Sequence, residues 1–237
     1  MPRVCTATLL MVLLGTCVGG WAQEALLLHY ALDEGSGAVA ADTSGNKLDG
    51  TVAAAWVGSP SGKALSLDGQ SKSIVRVQVP PALRFGKDSW TFSAWLKPTQ
   101  FSIEDRQNQR RIFSFGTFPD SNMVIDLTSA GQLTYYFCYR REDGTIASSG
   151  GSAAASLKLG EWAYVALVCD RVNGRVETYL NGFSQGSADL APGFAGDFSL
   201  NGELTLGSGW HNYWGLMDEV RLYRRADRRS ALTLYLY

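Results

Sequence analysis

Histidine is scarce: His29 and His211 are the only two in 237 residues, and neither has cysteine or a second histidine at metal-ligand spacing. That excludes the zinc-cluster and zinc-protease patterns, and no nucleophile elbow or phosphate-binding glycine loop is present either. A surplus of either charge is also missing, with 21 basic against 22 acidic residues and a net charge of -1. That argues against nucleic acid as cargo, because holding a phosphate backbone takes a basic excess. Paired carboxylates at glycosidase spacing are lacking as well. Glu142-Asp143 and Asp218-Glu219 are adjacent pairs, whose members would face opposite ways on a strand, whereas hydrolysis needs two acids opposed across about 5 to 9.5 Å. The reading is of a chain that is not an enzyme.

Long apolar runs are confined to the beginning. Met1 to Ala22 carries a positive charge at Arg3, an apolar centre from Ala7 to Leu14 and small residues at Gly20 and Ala22. This is the pattern of a secretory signal peptide cleaved after Ala22, which predicts a secreted or periplasmic product spanning residues 23–237. Lipid anchoring at Cys17 is disfavoured by Thr16 immediately before it. No later run approaches the roughly 20 residues that cross a bilayer. Cys138 and Cys169 are left in the expected mature chain; an oxidising compartment makes a disulfide between them one reading and two buried thiols the other.

Helical periodicity is nearly absent, apart from a turn expected at Arg225 to Leu232. Alternation dominates instead: Val75, Val77 and Val79 against Arg76 and Gln78, then Phe92, Ala94 and Leu96 against Ser93, Trp95 and Lys97. Eleven segments are expected as strands: Leu26–Leu32, Ala64–Leu67, Ile74–Val79, Trp90–Lys97, Arg111–Gly116, Met123–Leu127, Leu133–Tyr139, Trp162–Asp170, Arg175–Leu180, Glu203–Gly207 and Met217–Tyr223. Such spacing predicts an all-β domain of two packed antiparallel sheets. Asn173-Gly174 and Asn181-Gly182 are expected turns, and Ser148 to Ser156, built from Gly, Ala and Ser, reads as a surface loop.

Two constellations could bind. In the last expected strand, period two places Asp218 on the face of Leu216, Val220 and Leu222. An acid there must be neutral, paired, near an exposed end or on a cation, and calcium is the hard cation to suspect outside the cell. Asp42 to Gly50 offers two carboxylates, an amide and flexible carbonyls, although an ordinary Asx and glycine loop has the same composition. The second constellation is aromatic. Trp210, His211, Asn212 and Tyr213 form a loop able to stack on a sugar ring while polar groups take its hydroxyls, with Trp214 expected in the core and Trp210 exposed. The run Arg106 to Arg111 reads as a solvated loop that could also meet an anionic glycan.

Taken in order, Tyr30-Ala31-Leu32-Asp33-Glu34-Gly35, Asp42-Thr43-Ser44-Gly45-Asn46, Trp90-Thr91-Phe92-Ser93-Ala94-Trp95, Tyr179-Leu180-Asn181-Gly182 and Gly215-Leu216-Met217-Asp218-Glu219-Val220 form a recognisable set. The chain resembles the laminin G-like, pentraxin-like jelly-roll domains of the concanavalin A-like lectin and glucanase fold. The resemblance implies a jelly-roll sandwich with its first and last strands adjacent. It also implies one structural calcium ion shared by Asp42 and Asp218, with Asn46 and the Gly50 carbonyl as further ligands. The implied partners are a glycan or a cell-surface protein; the alternative is a structural or adhesion domain without a sugar site.

Overall fold

The computed structural model describes residues 25–70, 72, 74–101, 109–199, 202–207 and 211–232. The expected signal peptide, Trp210 and Arg106 to Asn108 lie outside the described residues. In chain order the strands are β1 Leu26–Tyr30, β2 Val39–Ala40, β3 Gly50–Ala53, β4 Ala55–Ser59, β5 Gly62–Asp68, β6 Ile74–Gln78, β7 Trp90–Gln100 and β8 Gln109–Thr117. They continue as β9 Ser121–Thr128, β10 Gln132–Arg140, β11 Ile146–Ser156, β12 Ala163–Asp170, β13 Arg175–Leu180, β14 Phe183–Asp189, β15 Glu203–Leu206 and β16 Trp214–Tyr223, before a short helix α1, Arg228–Leu232. No described helix is long and apolar enough to cross a membrane.

All pairings between the described strands are antiparallel, in two eight-stranded sheets. Sheet A runs β14-β13-β12-β7-β16-β5-β4, with β1 also on β16; sheet B runs β11-β10-β9-β8-β15-β6-β3-β2. β1 meets the last strand, Tyr30 opposite Val220, which joins the two ends of the domain as the resemblance implies. The inward faces interleave aromatic rings. Trp90 packs edge-on to Phe137 at 5.4 Å between centroids, and Phe92 lies 5.4 Å from Phe113. All four are fully buried, and such contacts add to the burial of large apolar areas that drives the sheets together.

Asn181 and Gly182 both adopt positive φ, 50° and 78°, and so form the tight turn between β13 and β14. Ser148 to Ser156 is not a loop. It forms most of β11, paired with β10 from Ile146 to Ser152 and again at Ser156, with an irregularity between. Its Gly, Ala and Ser side chains carry no apolar alternation, but backbone hydrogen bonding to β10 needs none.

The cysteines do not meet the condition for a bridge, because their strands do not pair: Cys138 is on β10 in sheet B and Cys169 on β12 in sheet A. Cys169 joins Val165 and Leu167 in the core, whereas Cys138 alternates with core-facing Tyr135 and Phe137 and so points the other way. Both are free, buried thiols, and burial pushes them up to about 11 for Cys138 and about 12 for Cys169.

Alternation is broken in β16. Met217 faces the core opposite Leu96, Asp218 lies opposite Trp95 on the outer face, and a bulge between Asp218 and Arg221 puts Glu219 at φ 52°. Val220 and Leu222 then face the core again. One extra residue therefore moves Asp218 off the face that simple parity assigns it. It is 1% exposed, but it is buried on the outer side of sheet A.

That outer side has a small apolar cluster of its own, Trp95, Tyr164, Ala166, Val168 and Tyr179, onto which Ala231 of α1 packs. Arg228 fastens α1 there, reaching Asp170 at 3.0 Å and Glu177 at 2.8 and 2.9 Å.

Candidate functional site

A groove of about 720 Å³ lies on the outer face of sheet B. Alternation builds it. On β9, Met123, Ile125 and Leu127 enter the core, so Asn122, Val124 and Asp126 line the groove floor. Tyr136 comes from β10, Arg111 and Ser114 from β8, and Arg76 with Glu203 and Thr205 from β6 and β15. Phe118 stands at one end, on the turn between β8 and β9. Two rings are offered to solvent, Phe118 at 55% and Tyr136 at 39% exposure.

Charge in the groove is paired. Arg111 grips Asp126 through Nε at 2.5 Å and Nη2 at 3.2 Å, a two-pronged ion pair with side-chain exposures of only 12% and 4%. On the rim, Arg76 Nε meets Glu203 at 3.0 Å. The side-chain amide of Asn122 donates to the Phe115 carbonyl at 3.2 Å.

The expected aromatic loop reaches this groove in part. His211 lines it, and its carbonyl accepts the Arg111 N–H at 2.8 Å, while Asn212 bridges to Arg111. Tyr213 is not a ligand platform. It is fully buried, its hydroxyl donates to the Leu216 carbonyl at 3.2 Å, and burial raises it well above the ordinary phenol range. Trp214 is half-buried rather than core, lying over Gly69. Nor are the last two arginines of the Arg106 to Arg111 run in a solvated loop: Arg110 is 1% exposed and Arg111 belongs to the groove floor.

The expected calcium ligands are in a different place and are differently employed. Asp42 Oδ1 accepts the N–H groups of His29 at 3.0 Å and Ser44 at 2.9 Å, and its Oδ2 accepts the Ser44 hydroxyl at 2.8 Å and the Leu48 N–H at 3.0 Å. Four donors use the roughly four acceptor positions of a carboxylate. Asn46 spends its amide on the Leu26 and Leu27 carbonyls, each at 2.9 Å. Gly50 serves packing: a Cβ there would meet Val75 at 2.6 Å and the Tyr30 hydroxyl at 2.9 Å. Asp218 bonds Ser59 at 3.3 Å and the Glu219 N–H at 2.9 Å. Among the described residues no group of three or more His, Cys, Asp or Glu is placed to hold a metal. Hydrogen bonds accepted by the Asp42 carboxylate tie its loop to β1.

His29 is not isolated in space. It bridges Thr43 at 2.7 Å and Glu219 at 3.0 Å, and Arg221 pairs with the same carboxylate. Burial would raise the Glu219 carboxyl, but His29 and Arg221 hold it below the usual range.

The family model described as the Concanavalin A-like lectin/glucanases superfamily, in its Laminin_G_3 form, matches residues 72–230. The chain belongs to that superfamily. No curated protein sequence matches it. Among solved structures, the binding domain of Paraclostridial Mosquitocidal Protein 1 superposes with a TM-score of 0.69 at 15% identity, over 89% of this chain and 51% of that one. The botulinum neurotoxin type C structure whose cell entry depends on two ganglioside molecules gives 0.65 at 13%, over 89% and 50%. Domain 4 of AbnA, an extracellular arabinanase of Geobacillus stearothermophilus solved with arabinotriose, gives 0.62 at 22%, over 88% and 97%. The superfamily member described here thus spans about half the length of the toxin binding domains and nearly all of the arabinanase domain. At these identities the likeness is one of fold.

Sequence reasoning missed Tyr136, Phe118, Asn122 and Asp126 as groove residues. Alternation on β9 and β10 was visible, but which side of each strand faces a concavity depends on strand order.

Proposed function

We propose that this chain is an exported, non-catalytic recognition module that holds an oligosaccharide in the groove across sheet B. The observation that carries it is the conjunction of two solvent-facing rings, Tyr136 and Phe118, with a polar floor of Asn122, Ser114, Thr205 and the Arg111–Asp126 pair in one groove of about 720 Å³. A sugar presents an apolar C–H face and a rim of hydroxyls, and this groove has a partner for each. Pockets that bind small ligands have this size and this mixture. The arabinotriose complex of the AbnA domain, which is covered almost end to end, supports the reading. Export rests on the apolar stretch Ala7 to Leu14.

A glycan array of the chain, repeated with Tyr136→Ala, is the test. Losing a stacking ring is expected to weaken binding about tenfold, or about 1.4 kcal/mol, with the circular dichroism spectrum unchanged. Binding that survives the substitution intact would remove the groove from the proposal. Protein contact is a second reading. It is favoured by β11, an eleven-residue edge strand without a charge or a proline, since such edges invite strand addition. A blank array with capture of an extended peptide would select it.

A further inference from the structure

The groove's electrostatics narrow the ligand further, on the footing that a glycan binds there. The floor and rim hold two guanidinium groups, Arg76 and Arg111, and each is matched by a carboxylate within ion-pair distance, Glu203 at 3.0 Å and Asp126 at 2.5 Å. Neither cation is placed to receive an acidic sugar. A uronate or sialate in the groove would have to displace Asp126 or Glu203 from its arginine, or lie beside that carboxylate with like charges opposed and water excluded. Both routes oppose binding, and the Arg111–Asp126 pair resists the first because it is two-pronged and almost wholly buried.

A neutral hydroxyl faces no such conflict. It can donate to a carboxylate oxygen and accept from the neighbouring guanidinium at once, so each ion pair presents a ready donor and acceptor to adjacent hydroxyls, with charge-assisted strength on both sides. We infer that the groove selects neutral oligosaccharides and discriminates against those carrying a carboxylate. The ion pairs are then the element that sets specificity, while Tyr136 and Phe118 supply sequence-tolerant stacking.

Matched pairs of oligosaccharides test this: lactose with sialyllactose, and galactotriose with trigalacturonate, together with arabinotriose as an unpaired neutral probe. Binding would be measured by calorimetry at about pH 8, where an ordinary imidazole is uncharged. The neutral member of a pair that binds is expected to do so at least about tenfold more tightly than its acidic counterpart. Its affinity should change less than about twofold when ionic strength rises about tenfold, since no net charge is being neutralised. Glu203→Gln removes a carboxylate from the exposed rim pair, where side-chain exposures of 58% and 40% make loss of folding no concern. That variant should narrow the gap between neutral and acidic members by about threefold or more, reading the removed repulsion directly.

Equal or tighter binding of the acidic members by the unaltered chain would overturn the selectivity while leaving the groove a glycan site. Failure of all five probes, and of every neutral glycan on the array, would overturn the glycan reading itself and this inference with it.

Discussion

Asp42 can be tested as the residue that does by hydrogen bonding the fastening expected of a cation. Asp42→Ala deletes acceptors for the backbone N–H groups of His29, Ser44 and Leu48; the Ser44 hydroxyl retains the Leu27 carbonyl at 3.1 Å. Three bonds to a charged group, lost where water can only partly replace them, correspond to about 3 to 5 kcal/mol. For a chain of this size each kcal/mol moves the midpoint by about 2 to 4 °C, so the Tm should fall by roughly 6 to 20 °C. Asp42→Asn keeps the shape and one accepting oxygen, and should lie about midway. The assay is thermal unfolding by near-ultraviolet circular dichroism, in chelator and in millimolar calcium. The unaltered chain should show the same Tm in both. If calcium at about 100 times its dissociation constant bound only the folded state, it would add about 2.7 kcal/mol. A calcium-induced rise of several degrees, or an Asp42→Ala variant within about 2 °C of the parent, would refute the reasoning.

Gly69 has φ 72°, and a Cβ there would fall inside the Trp214 indole, whereas Gly144 has φ 82° with open space around it. Gly69→Ala should therefore destabilise by more than about 3 kcal/mol and Gly144→Ala by only about 1 kcal/mol, as read from urea midpoints. The Arg228 clamp gives an acid dependence. Hydrogen bonds from Arg228 hold Glu177 below its ordinary range; burial opposes the same effect at Asp170, where Asn173 and Arg228 outweigh it. Folded values depressed below the unfolded ones mean that this stability is present above about pH 4 and is lost as pH falls through the folded values. Arg228→Ala should cost about 1 to 2 kcal/mol at neutral pH, discounted for its 41% exposure, and should flatten the acid limb of the stability curve. Iodoacetamide should leave Cys138 and Cys169 unmodified in the folded chain and alkylate both in urea, by peptide mapping, since burial suppresses each thiolate.

The sheets were legible where one face of a strand is apolar. All eleven expected strands form, and the expected turn near the end becomes α1. The five others are β2, β3, β4, β11 and β14, short or at the margins of a sheet, and none of them fully buries a side chain larger than Val52. Periodicity cannot register a strand that buries little. The groove was half legible: His211 was among the expected residues and lines it, but its rings and ion pairs come from strands distant in sequence whose order no local pattern encodes. Asp218 was misplaced for a different reason. Counting by twos assumes an unbroken ladder, and nothing in Asp218-Glu219-Val220 announces that Glu219 will leave it.

That odd residue makes β16 more tolerant of loss than a regular strand is. With it, Met217 upstream and Val220 downstream both find the interior. Excising Glu219 would leave Met217, Asp218, Val220, Arg221 and Leu222 in unbroken alternation with Val220 opposite Ala94, so both halves of the strand would keep their inward faces and only the carboxylate between His29 and Arg221 would be lost. A library of single-codon deletions should therefore find this position more permissive than any in β12, whose ladder has no irregularity to absorb the loss and where one missing residue reverses the facing of all that follow.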